Sequence, residues 1–229
     1  VIMFSTGIIR SSDQINQAMG RVYGYMGLAV IVSMLVSMGV GTNPELVKFF
    51  FTGVMHWIVM LAPLGAVFLL VPFMNTDPPK PAAILALAGF AGLMGLSFAI
   101  IFAVYTALSI FNAFMGAAVL FGVMSFYGYF TKRSLESVGQ FMFIGLIAII
   151  IASIVNIFIG STVLQMVISA LAIIIFLGLT AYDTQQIREM VTYDTGSAVE
   201  VMGALTLYLD FINLFLNLLQ LFGIAKSDD

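Results

Sequence analysis

Two acids stand where acids are scarce. Asp183 lies in Leu179-Thr180-Ala181-Tyr182-Asp183-Thr184-Gln185-Gln186-Ile187, and Asp210 lies in Leu205-Thr206-Leu207-Tyr208-Leu209-Asp210-Phe211-Ile212-Asn213. An acid at membrane depth costs on the order of 3 kcal/mol by insertion scales, so it faces a cavity or a partner rather than lipid. If the two carboxylates converge in one low-dielectric pocket, both cannot ionise cheaply, and they share a proton. Such a pair is a proton-sensitive latch, and its oxygens also suit a hard cation such as Ca²⁺, held transiently. Protons and cations then compete for one site.

The residues around Asp210 extend the pattern. At ~100° per residue, Gly203, Thr206, Asp210, Asn213 and Asn217 fall within about 80° of one another on a helix, with Gln220 just beyond. A polar stripe this long cannot face lipid, so its helix lies inside a bundle or lines a water-filled path, with Thr206, Asn213 and Asn217 as lining or supporting groups. Two plainer roles compete. Asp210 can serve as structural glue between helices. Asp183 can be an interfacial acid at a helix end, unfavourable against the helix dipole but close to Arg188.

These residues need elements that hold them at depth, and the composition says what those are. The chain has 229 residues, 62% of them hydrophobic and 8% charged, with a mean hydropathy of +1.13. A soluble domain carries about a quarter charged residues; the 19 charges here cannot hydrate a globule of 24.8 kDa. The solvent of the chain is therefore lipid. A net charge of −3 with scattered basic residues offers no phosphate-binding surface for nucleic acid. The absence of cysteine excludes disulfides and thiolate chemistry, and a single histidine, His56, excludes multi-histidine metal sites.

Long unbroken apolar runs indicate helices rather than barrel strands. With roughly 20 residues needed to cross the hydrocarbon, seven segments are expected, at 21–42, 51–73, 82–105, 111–131, 139–160, 163–183 and 199–223. The punctuation agrees. Gly41-Thr42-Asn43-Pro44 stops the first segment, Asn75-Thr76-Asp77-Pro78-Pro79-Lys80-Pro81 separates two from three, and Lys132-Arg133-Ser134-Leu135-Glu136 separates four from five. Gly160-Ser161-Thr162 forms a tight uncharged turn, whereas apolar residues nearly run through the connection at Leu108-Ser109-Ile110. The domain organisation expected is a polar N-terminal arm at 1–20, one seven-helix domain at 21–223 and a short acidic tail at 224–229. The arm lacks the apolar core and cleavage site of a signal peptide, and Asp13 can cap a helix beginning there.

With the N-terminus inside, the inner side holds Arg10, Arg21, Lys80, Lys132, Arg133 and Arg188, against Lys48 and Lys226 outside. That excess predicts a cytoplasmic N-terminus. Apart from Asp183 and Asp210, the charges fit loops and helix ends, or border on them, and read as solvated. Gly89-x-x-Gly92-x-x-Gly95 and Gly20-x-x-x-Gly24 read as close-packing faces, the fifteen methionines as adaptable packing, and His56-Trp57 as part of an interfacial belt. Asn112 and Asn156 are expected near outer helix ends, bonding backbone.

Ala181-Tyr182-Asp183-Thr184-Gln185-Gln186-Ile187 and Leu207-Tyr208-Leu209-Asp210-Phe211-Ile212-Asn213-Leu214-Phe215 together resemble the Bax inhibitor-1 (transmembrane Bax inhibitor motif) family. Asn112-Ala113-Phe114-Met115-Gly116-Ala117-Ala118 and Asn156-Ile157-Phe158-Ile159-Gly160-Ser161 are similar to its middle section. The likeness covers roughly 80–229 in sequence and the first two segments in hydropathy, and it fits the bacterial branch best. The resemblance implies an all-α fold of seven transmembrane helices with helix seven central and surrounded by the other six. It further implies a pH-sensitive Ca²⁺ leak channel of the bacterial inner membrane, with Asp183 and Asp210 as the sensor and gate. One departure stands out: some bacterial members carry a basic residue at the cytoplasmic end of helix two, and Phe73-Met74-Asn75-Thr76-Asp77 has none.

The function expected is thus proton-gated passive Ca²⁺ permeation, with lipid, Ca²⁺ and protons as partners and no resident cofactor. Two alternatives share the same residues: a non-transporting regulator that binds other membrane proteins, such as a quality-control protease, and a Ca²⁺/H⁺ antiporter. Enzymatic function is not expected. An intramembrane aspartyl protease would need Gly-x-Gly-Asp at the second acid, where Leu207-Tyr208-Leu209 stands, and a serine protease lacks a paired nucleophile motif.

Overall fold

A computed structural model describes residues 10–226, which form eight helices: α1 (Ser12–Gly41), α2 (Pro44–Phe50), α3 (Gly53–Asn75), α4 (Lys80–Val104), α5 (Ala107–Phe130), α6 (Glu136–Ile159), α7 (Thr162–Tyr193) and α8 (Val199–Phe222). All but α2 are long and apolar enough to cross a membrane. The chain is therefore an all-α, multi-pass integral membrane protein. Residues 1–9 of the expected arm and 227–229 of the expected tail lie outside the described residues.

Four boundaries differ from expectation, each for a local reason. The arm is already helical from Ser12, because Ser11 and Gln14 form a reciprocal capping box; Asp13 sits in the first turn instead of capping. The connection after segment one holds the extra helix α2, with the Asn43 side chain accepting the N–H groups of Glu45 and Leu46 and Pro44 opening the helix. The break between α4 and α5 falls at Tyr105-Thr106, where Tyr105 pairs with Ala225 and the Thr106 N–H donates to Ile224 at 3.1 Å. Finally, α7 runs ten residues past Asp183.

The contacts divide the chain into two compact units. The first comprises the residues up to 104 together with 187–208. In it, α1 and α4 approach closely: a Cβ on Gly95 would stand 2.5 Å from the carbonyl oxygen of Ser33. Ser33 is buried, and its hydroxyl meets Tyr208 Oη at 2.6 Å and the carbonyls of Ala29 and Ala91 at 2.9 Å each. Inside α3, Pro63 has no N–H to give the carbonyl of Val59, and Ser97 of α4 donates to that oxygen at 2.5 Å. The loop before α4 turns at Asp77, whose positive φ of 51° is tolerated by a short polar side chain.

The second unit comprises 105–186 and the residues from 209 onward. Gly160 ends α6 with φ 69°, a left-handed cap that favours glycine, and Asn156 Oδ1 accepts the Ser161 N–H at 3.1 Å. Gly128 of α5 lies so close to the Ala181 carbonyl of α7 that a Cβ would overlap it. Helix α6 is nearly bare, with 6% of its apolar stretch buried, as a lipid-facing helix is; for α8 the share is 72%.

Candidate functional site

The site is built on α7 and α8 within the second unit. Nearly every neighbour of Asp183 in its motif is committed to holding α7 in place. Thr180 is fully buried and returns its hydroxyl to the Phe176 carbonyl at 2.7 Å. The Ala181 backbone packs on Gly128, and the Tyr182 ring lies over Gly139, where a Cβ would come within 2.5 Å of the ring. Thr184, also fully buried, meets the Ser125 hydroxyl at 3.0 Å. Gln185 clamps the α5–α6 loop, accepting the Leu135 N–H at 2.8 Å and donating to the Arg133 carbonyl at 2.9 Å. Gln186 donates to the Tyr182 hydroxyl. Asp183 projects from this anchored turn toward α8, where its carboxyl hydrogen-bonds to that of Asp210.

The partner is just as firmly held. Phe211, adjacent to Asp210, packs edge-on against Phe114 and Phe121 at centroid distances of 5.4 and 5.8 Å, and Leu214 is fully buried. Asp210 itself is 5% exposed, and its Oδ2 has no hydrogen-bond partner. Asp183 is half-buried. Two carboxyls in direct contact need a proton between them, because a carboxylate offers no donor. The side chains of Asp183 and Asp210 thus meet, and Asp183 lies inside α7, ten residues before its end.

The polar stripe behaves differently. Thr206, Asn213 and Asn217 are half-buried along the less enclosed face of α8. Each bonds a carbonyl one turn earlier on its own helix: Thr206 to Met202 at 3.3 Å, Asn213 to Leu209 at 2.8 Å and Asn217 to Asn213 at 2.8 Å. These local bonds use the Thr206 hydroxyl and one N–H of each amide, and the amide oxygens remain as acceptors. Gln220 instead receives the Ser169 hydroxyl at 2.9 Å. Among the described residues, no group of three or more His, Cys, Asp or Glu is placed to hold a metal ion. The two carboxyls alone fall short of the six to eight oxygens Ca²⁺ prefers.

The sequence reading missed one buried acid. Glu200, taken as a solvated helix-end charge, is 1% exposed and lies in the first turn of α8 within the first unit. Arg21 grips it with Nε and Nη2 at 2.8 and 2.6 Å, Lys80 Nζ donates at 2.9 Å, and Arg10 Nη1 stands 3.7 Å away. The available signal was an acid opening an apolar helix on the side assigned most of the basic residues. In the same unit, Asp77 accepts the Ala198 N–H at 2.9 Å and the Ser197 hydroxyl at 3.1 Å. The Ala198 N–H above all holds the Asp77 carboxyl below the usual carboxylate range. The end of α3 thus meets the start of α8 through an acid, where a basic residue was noted as missing.

A multi-pass helical membrane protein with a carboxyl pair buried between two of its helices is the class these features define. Residues 15–227 match the family described as Inhibitor of apoptosis-promoting Bax1, and the chain belongs to that family. The match begins inside α1, so the likeness reaches the first helices as well. Inner membrane protein YbhL of Escherichia coli K12 is 37% identical over 226 residues, covering 96% of each chain. Protein RP147 of Rickettsia prowazekii is 39% identical over 217 residues, covering 92% of this chain and 91% of that one. YrjE of Lactococcus lactis is 36% identical over 225 residues, covering 95% and 94%.

Proposed function

We propose that this protein is a passive, pH-sensitive Ca²⁺ leak of a bacterial inner membrane, gated by the proton that Asp183 and Asp210 share. The observation that carries this reading is the direct contact of the two carboxyls between α7 and α8. With one proton the pair carries a single negative charge and clamps α7 to α8. Without it, two like charges repel in a poorly screened site. A change of one proton thus alters the force between the helices by an amount that interior packing does not absorb smoothly. Ca²⁺ is a transient visitor to the carboxylates, assisted by the amide oxygens of Asn213 and Asn217 and the Thr206 hydroxyl.

The membrane assignment draws on the E. coli relative, an inner membrane protein. The excess of Arg and Lys on one side favours a cytoplasmic N-terminus. The role is transport rather than catalysis. Ca²⁺ flux from liposomes measured across a pH series tests the proposal. Wild-type flux changes in one step with pH, and Asp210→Asn removes that step; an Asp210→Asn protein with the wild-type profile would overturn it. Flux that collapses when the proton gradient is dissipated would indicate an antiporter using the same acids.

A further inference from the structure

Three cations converge on Glu200, although its one carboxylate balances a single charge. Arg21, Lys80 and Arg10 stand 2.6, 2.9 and 3.7 Å from its oxygens, which leaves two positive charges in excess. Asp77, from the loop just before Lys80, directs its Oδ1 to Ser197 and Ala198. Donors are in surplus as well. Lys80 has three N–H groups and Arg21 five, of which Glu200 takes one and two. Arg10 Nη1 is buried with no hydrogen-bond partner. The Arg21 and Lys80 side chains are 43% and 37% exposed above a counter-ion that is 1% exposed. Donors left unused by Glu200 and facing away from it are the groups that a second anion would engage.

The surface beside the cluster selects which anion. Lys80 opens α4 and Glu200 lies in the first turn of α8, so the cluster sits where spans end. At 1.5 Å per residue, the 30-residue α1 exceeds the ~30 Å hydrocarbon by about 15 Å, which gives the end that carries Arg21 room to stand at headgroup level. Residues seven apart return to the same side of a helix, so Leu28 and Leu35 follow Arg21 about 10 and 20 Å deeper along α1. Both are exposed, as is Ile31 beside them. Gly24, between Arg21 and Leu28, is exposed and has nothing within 4 Å of where a Cβ would stand. Cations thus lead directly into an open apolar track. A free phosphate would use the cations and leave the track empty, whereas a phospholipid uses both.

We propose that Arg10, Arg21 and Lys80 bind the phosphate of an anionic phospholipid whose acyl chain lies along Leu28 and Leu35 of α1. Native mass spectrometry of the full chain from detergent micelles, titrated with phosphatidylglycerol or phosphatidylcholine of identical acyl chains, tests this. The expected result is a preference for phosphatidylglycerol of about fivefold or more. Arg10→Gln/Lys80→Gln should remove the preference. Gly24→Glu should also remove it, by placing a carboxylate beside the cations while every partner of Glu200 keeps its own residue, and so keeps the test intact if the double variant fails to fold. Equal retention of the two lipids by wild-type protein, or a preference that survives Gly24→Glu, would overturn the proposal. Displacement of phosphatidylglycerol by inorganic phosphate at equal concentration would overturn the lipid assignment in favour of a free-phosphate site.

Discussion

The carboxyls of Asp183 on α7 and Asp210 on α8 hydrogen-bond to one another, in a place where Asp210 is buried and its Oδ2 has no other partner. On the proposed reading the contact depends on a proton, and an amide can replace that proton with its own N–H. Asp183→Asn or Asp210→Asn should therefore unfold within about 1 kcal/mol of wild type. Asp210→Leu, which leaves Asp183 without its partner, should lose about 1–3 kcal/mol. Thermal unfolding in detergent micelles at neutral pH measures the contrast, and equal losses for Asn and Leu would show that the hydrogen bond contributes nothing.

The Glu200 cluster should rank by burial and geometry. Arg21 makes two short bonds to a carboxylate that is almost fully enclosed, whereas Lys80 makes one. Arg21→Ala should cost about 2 kcal/mol and Lys80→Ala about 1 kcal/mol or less, both below the 3–5 kcal/mol typical of a fully buried pair, because the cations reach solvent. Unfolding midpoints in the order wild type, Lys80→Ala, Arg21→Ala would bear this out.

Asp77 supplies a pH dependence with a definite sign. Its carboxyl is held below the usual carboxylate range, chiefly by the Ala198 N–H. The contribution is therefore fully present above the ordinary carboxylate range and is lost as pH falls through the lower, folded-state value. Because Asp77 is exposed, the effect is at most about 1 kcal/mol. Asp77→Asn should lower the unfolding midpoint at neutral pH and narrow its difference from wild type in acid. A difference that instead grows on acidification would contradict the assignment.

Two glycine substitutions should have opposite effects. Gly128→Ala drives a Cβ into the Ala181 carbonyl, forcing α5 from the turn that carries Asp183, at about 1–3 kcal/mol. Gly20→Ala meets nothing within 4 Å and should stabilise α1 by about 0.5–1 kcal/mol through backbone entropy. Unfolding midpoints of the two variants in detergent micelles check both signs.

The seven spans, and the placement of Asp183 and Asp210 on two of their helices, were legible because lipid makes both conspicuous: a span is an apolar run of fixed length, and an acid within it is costly. Glu200 was missed because its cost is removed by Arg21 and Lys80, 179 and 120 residues away in the chain, and the local signal, an acid opening an apolar helix, does not name those partners. The break at Tyr105-Thr106 was hidden for a similar reason, being set by backbone pairing with residues 224 and 225. By contrast, α2 was announced by Asn43-Pro44-Glu45, a capping pattern that gives no sign of span length and so passed as a loop.

The proton proposed to be shared by Asp183 and Asp210 can be observed directly. Infrared difference spectroscopy of the reconstituted protein through a pH jump reads the carbonyl stretch of a protonated carboxyl while Ca²⁺ flux is followed in the same vesicles. The account predicts that this band changes in step with flux and disappears in both Asp183→Asn and Asp210→Asn. Flux that changes with pH while no carboxyl band moves, or while the band persists in both variants, would contradict it.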